Sequence, residues 1–90
     1  MPERKYPREE HARRGQELYE QQVRPLVEAG NKGKIVAIDI DSGAFEVDDD
    51  VIPAGKRLFA RYPDAQIWYV RIGYPAVYRM SYVPPKEDPT

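Results

Sequence analysis

Cysteine is missing from all 90 residues, which excludes disulfides, thiol nucleophiles and thiolate metal sites. Histidine is nearly missing: with His11 alone, a transition-metal site or a histidine-activated nucleophile has nothing to assemble from. No apolar run approaches the roughly 18 residues that a membrane span needs. The opening MPERKYPREE has no apolar core, so no secretion signal is expected and a cytoplasmic location is. There is no glycine-rich phosphate loop, because Gly30 and Gly33 follow a helical stretch rather than open one. Internal repeats are also lacking.

An excess of one charge is lacking overall, since the net charge is −1, but the charge is unevenly spread. Residues 1–34 carry eight Lys/Arg against six Asp/Glu, residues 35–64 three against seven, and residues 65–90 three against two. That gentle dipole can steer a partner. It does not supply the clustered basic face that nucleic acid requires. With 41% hydrophobic and 32% charged residues, the composition is that of a small folded domain.

Residues 1–6 are expected to be disordered, residues 7–83 to form a single domain, and residues 84–90, with Pro84, Pro85 and Pro89, to be a disordered tail. Pro7, Glu9 and Glu10 suit a helix start, and the spacing predicts helix over 8–28. Its first half is polar nearly all round. Its second half carries a stripe of Leu18, Tyr19, Gln22, Val23, Leu26 and Val27, with Pro25 expected to kink it or start a short second turn. Residues 34–40 and 44–47 read as a β-hairpin around Asp41-Ser42-Gly43. Asp48, Asp49 and Asp50 can cap a second helix, with Pro53 in its first turn and Val51, Ala54, Leu58 and Tyr62 along one side. Residues 66–74 form the most apolar segment and read as a central strand, returning over 76–83 as a second hairpin. The expected fold is therefore α+β: helix, hairpin, helix, hairpin, forming one antiparallel four-stranded sheet with the helices on one face.

The string DSGA at Asp41 matches the turn that presents the catalytic carboxylate in aspartic proteases. Such a site needs two carboxylates sharing a proton, and this chain holds the string once. A hairpin turn explains the same residues: a side-chain oxygen caps the turn and glycine takes positive φ. The acidic set Asp39, Asp41, Glu46, Asp48, Asp49 and Asp50 lacks the spacing of a calcium loop, because Gly43 falls one place early. Neither a metal nor a cofactor is expected.

The aromatic residues are more informative. Trp68, Tyr69, Tyr74 and Tyr78 gather near the C-terminus with Arg71 and Arg79, and these residue types are enriched at protein–protein hot spots. With helices on only one face, the opposite sheet face would stay bare, which predicts a homodimer or a partner covering it.

The strings YPREEHARRGQELYEQQVRP, GKIVAIDIDSGAFEVDDD and RLFARYPDAQIWYVRIGYPAVYR resemble a family of small uncharacterised bacterial proteins, notably cyanobacterial. The resemblance spans about residues 6–80. Where the family commonly has Glu-Thr-Gly, this chain has Asp41-Ser42-Gly43, a departure that weakens a catalytic role for Asp41. The family is similar to antitoxin-like domains that partner another small protein. The resemblance thus implies a protein-binding role and carries over no catalytic residue.

The leading expectation is a non-enzymatic, antitoxin-like module that binds another small protein or a second copy of itself through Trp68, Tyr69, Arg71, Tyr74, Tyr78 and Arg79. A small hydrolase using Asp39, Asp41 and Asp48 is one alternative, and an RNA-binding module using the Tyr/Arg face is another. The charge distribution makes nucleic acid an unlikely partner. RNA binding followed by fluorescence anisotropy at moderate salt should be weak or undetectable. Micromolar binding that weakens steeply with added salt would contradict this.

Overall fold

The computed structural model describes residues 5–74 of the chain; residues 1–4 and 75–90 lie outside the described part. In chain order the elements are α1 (Arg8–Leu18), a wider-wound π segment (Tyr19–Val23), α2 (Arg24–Val27), β1 (Ile35–Asp39), β2 (Phe45–Asp48), α3 (Val51–Arg61) and β3 (Ile67–Arg71).

The first three elements form one continuous helical unit. Its polar half is laced by exposed pairs four residues apart, Glu10 with Arg14 and Arg13 with Glu17, each worth only a few tenths of a kcal/mol, about 0.3–0.5. Pro25 lacks the N–H that would serve the carbonyl of Gln21, and its ring crowds that carbonyl. The helix relieves the conflict by widening over the preceding turn, where the Arg24 N–H reaches back to the Tyr19 carbonyl. Tyr19, Val23 and Val27 still follow one another at four-residue spacing, and all three are buried. Leu26 falls off that row and is exposed.

Among the described residues the sheet has three strands in the order β2-β1-β3, with β1 antiparallel to both neighbours. This corrects the expectation of a four-stranded sheet. The expected return strand over 76–83, with Tyr78 and Arg79, lies outside the described residues. The central strand is β1, buried at every position, whereas β3 is an outer strand of the described sheet. β2 and β3 run parallel to each other across β1, so the chain between them must cross over the sheet, and α3 is that crossover.

The crossover also corrects the placement of the helices. Val36, Ile38, Val70 and Ile72 pack with Tyr19, Val23 and Val27 of the first helical unit. Ala37 packs with Ala54 and Leu58 of α3, on the other side of the pleat. Helices therefore cover opposite faces of the sheet, not one. Asp50 caps α3 by accepting the Val51 N–H at 2.8 Å, as the acidic run before the helix predicts.

Two glycines let the helices come close, one on each face. A Cβ on Gly15 would lie 2.2 Å from Cγ and 2.5 Å from Cβ of Trp68, atoms too near the β3 backbone to swing aside. A Cβ on Gly55 would meet the Tyr69 hydroxyl at 2.3 Å, the far end of a side chain that can rotate. In urea unfolding, Gly15→Ala should lose about 1–3 kcal/mol despite a helix-propensity gain of about 1 kcal/mol. Gly55→Ala should stay within about 1 kcal/mol of wild type. Equal effects at the two sites would show that α1 does not rest on Trp68.

Candidate functional site

The carboxylate at Asp39 organises the acidic hairpin from below. It is 3% exposed, and it ends β1 at a point where the chain must turn. Its Oδ1 accepts the N–H of Asp41 at 3.2 Å and that of Gln66 at 3.0 Å, while Oδ2 accepts the Ser42 hydroxyl at 2.7 Å. Gly43 closes the turn at φ 81°, and its N–H returns to the Asp39 carbonyl at 2.7 Å. The side-chain cap of the DSGA turn is thus Asp39 rather than Asp41, and the same carboxylate ties the turn to the start of β3.

Asp41 is free of the turn and holds the N-terminal segment. It accepts the Lys5 ammonium at 2.8 Å and the Tyr6 hydroxyl at 2.5 Å, and the Arg14 guanidinium stacks 4.5 Å over the Tyr6 ring. The Lys5 N–H donates to Gln66 Oε1 at 2.9 Å, so Lys5 bridges the turn and the start of β3. Asp48 and Glu46 lie on the α3 side of the sheet and pair with Arg57, at 2.6 Å and 3.0 Å; Arg61 also pairs with Glu46. Arg57 further donates to the Val47 carbonyl. Of the carboxylates a hydrolase would use, Asp39 and Asp41 belong to one network, joined through the Asp41 N–H and through Lys5 and Gln66, whereas Asp48 belongs to another with Arg57 on the α3 side. Among the described residues no cluster of three or more His, Asp or Glu is placed to hold a metal ion.

The aromatic residues of β3 are divided by the pleat. Trp68 faces α1, packed on Gly15 and edge-on to the His11 ring at a centroid distance of 6.4 Å. Tyr69 and Arg71 face the other way, toward the α3 side. Tyr74 follows the strand, half exposed, with the Lys32 ammonium 5.9 Å from its ring centre. Tyr69 and Arg71 therefore share a surface that Trp68 does not. The bare face that motivated a homodimer is also largely filled, because α3 lies over β1 and β2.

α3 lies mainly over β1 and β2 and meets β3 where Gly55 comes against Tyr69, which leaves a lane along β3. Arg57 and Arg61 turn one flank of α3 toward β2, whereas Gly55 turns the other flank toward Tyr69. Ile52 and Phe59, three residues before and four after Gly55, stand on the Tyr69 flank. The lane has Ile67, Tyr69 and Arg71 as its floor and Ile52, Gly55 and Phe59 as its wall. Tyr69 is 38% and Ile52 64% exposed. Burial pushes the Tyr69 hydroxyl pKa up, in keeping with a ring that leans on Gly55. Composition pointed to Tyr69 and Arg71 but not to Ile52 or Phe59, whose side of the helix depends on where Arg57 finds its acids. A second opening of about 180 Å³ lies between Tyr19, Glu20, Arg24, Glu28, Gly73 and Tyr74, where Arg24 is already clamped by Glu20 and Glu28.

No family model, curated protein or solved structure matches the chain. No helix of the described residues is long and apolar enough to cross a membrane.

Two measurements check these roles. Asp39→Ala should cost about 2–4 kcal/mol in urea unfolding, because it strands the buried Gln66 N–H, whereas Asp41→Asn should cost less than about 1 kcal/mol. The pH dependence follows from the partners. Lys5 and Tyr6 hold the Asp41 carboxyl below its ordinary 3.8, Arg57 and Arg61 hold Glu46 below its ordinary 4.5, and Arg57 holds Asp48 below 3.8. Depressed carboxyls contribute stability that is present above their ordinary values and is lost as pH falls through the depressed ones. Stability should hold down to those ordinary values and decline below them, and Arg57→Gln should flatten the decline. An unchanged acid profile in Arg57→Gln would remove the cluster from the account.

Proposed function

We propose that the chain is a small protein-binding module, antitoxin-like in its pairing with another small protein, and that its contact surface is the lane between α3 and β3. One observation carries this reading: Tyr69 leans on Gly55 yet stays partly exposed, and Ile52, one turn before Gly55 on the same helix, is exposed too. An apolar strip with aromatic and arginine neighbours is the residue pattern of a binding hot spot. Of the residues that composition singled out, Tyr69 and Arg71 belong to this surface, while Trp68 serves packing against α1. A cytoplasmic setting is part of the same proposal.

Copurification of the tagged full chain from its native host tests it. A stoichiometric small protein should accompany the wild-type chain and be lost from Ile52→Glu, a substitution at an exposed position that should leave the fold unchanged by circular dichroism. Recovery of RNA, or of a partner insensitive to Ile52→Glu, would overturn the assignment of this surface.

A further inference from the structure

Resting on the protein-binding reading, the geometry points to an occupant of defined chemistry: we infer that the partner lays an amphipathic helix with an apolar stripe and an acidic flank into the lane, alongside α3. The first argument is the outer edge of β3. Ile72 and Gln66 turn their backbone groups toward β1, through Ile72 N–H to the Lys34 carbonyl and Ile40 N–H to the Gln66 carbonyl, so Ile67, Tyr69 and Arg71 turn theirs outward. At one end His11 Nε2 bonds the Ile67 carbonyl at 2.8 Å, and since a carbonyl only accepts, Nε2 carries the proton. At the other end the Arg71 carbonyl accepts the Tyr74 N–H at 3.3 Å. An added strand would find two of three outward carbonyls already taken. Recognition by strand addition is thereby disfavoured, and what the lane offers is side chains.

The second argument is size. α3 covers two strands spaced about 4.8 Å apart, and packed helices lie about 8–10 Å apart, so a second helix beside α3 falls over β3. Ile52 and Phe59 are seven residues apart, about 10.5 Å along the helix, which matches a partner stripe at i, i+3 or i+4, and i+7.

The third argument is charge. On the β2 flank of α3, Arg57 and Arg61 are saturated by Glu46 and Asp48. On the lane side, Lys56 stands one turn after Ile52 and Arg71 closes the floor, and neither makes an ion pair among the described residues; the Arg71 guanidinium donates only to the Gly33 carbonyl, at 2.9 Å. The same helix thus has a neutralised flank and a cationic, apolar one. Acidic residues bordering the partner's stripe would complement it.

The test is a display library of about 15-residue, alanine-rich helical peptides with randomised surface positions, selected against the full chain, the best peptide then serving as the probe for amide NMR. The expected winners carry apolar residues at i, i+3 or i+4, and i+7 with an excess of Asp and Glu. They should shift the amides of Ile52, Tyr69 and Arg71, and lose at least tenfold in affinity with Arg71→Glu. Arg8→Glu, the same charge change at the start of α1, should leave affinity unchanged. Winners without acidic excess, binding mapped to another surface, or no enrichment would overturn the inference. So would NOEs in the free chain placing Tyr69 against residues 75–90 or against a second copy. If selection fails while Ile52→Glu still abolishes copurification, the helical partner is wrong and the binding surface stands; if both fail, both readings go.

Discussion

Ile35, Val36, Ala37 and Ile38 point alternately to opposite sides of the sheet, yet all are buried, so the strand they form must be covered on each side. At about 25 cal/mol per Å² of apolar surface, leaving either side wet would cost several kcal/mol, a large part of a small domain's stability. The rest of the architecture follows from this demand. One cover is supplied by the N-terminal helical unit, whose Tyr19, Val23 and Val27 reach Val36 and Ile38. The other is supplied by α3, which is carried across β1 because the strands it joins run parallel to each other on either side of β1. The π segment belongs to the same requirement, since it lets the row Tyr19–Val23–Val27 continue past Pro25 without leaving the sheet.

Polar groups close what the apolar layers leave open. Among the described residues Asp39 is the one buried carboxylate, and it remains buried because backbone and hydroxyl donors surround it. It joins the hairpin turn to the start of β3, so two segments far apart in sequence share a single acceptor at one end of the sheet. His11 and the turn after Arg71 close carbonyls on the outer edge of β3, which blunts an edge that could otherwise recruit strands. The Glu46, Asp48, Arg57 and Arg61 cluster fastens α3 to β2 and thereby sets the rotation of the helix about its axis.

That rotation links folding to the proposed function. With Arg57 and Arg61 committed to β2, the opposite flank of α3 is left to Ile52, Gly55, Lys56 and Phe59, and the neighbouring strand presents Tyr69 and Arg71 beside them. A small domain of this size has too few residues to cover every apolar group. Leu26 and Tyr74 stand exposed elsewhere, but Ile52 and Tyr69 fall on one flank of α3 and the strand next to it, beside Lys56 and Arg71, which make no ion pair among the described residues.

Much of the local structure was legible in the residues alone. Alternation of Ile and Val marks β1, the acidic run marks the start of α3, and Pro25 marks the disturbance in the first helix, because each depends on neighbours in sequence. Layering was not legible. An apolar strand can be central or outer, and residues 66–74 looked more central than residues 34–40 because Trp68 and Tyr69 are large; the small Ala37 is the residue that admits a close-packed helix. Nor could the roles of the acids be assigned, since Asp39 and Asp41, two residues apart, are equivalent in the strand alternation until Gln66, distant in sequence, presents its N–H to one of them. Sequence by itself determined the elements and the α+β class, through short-range periodicity and capping. Only the tertiary structure decided that the helices take opposite faces and that Gly55 of α3 comes against Tyr69 of β3, because both outcomes rest on a crossover between strands that never touch each other.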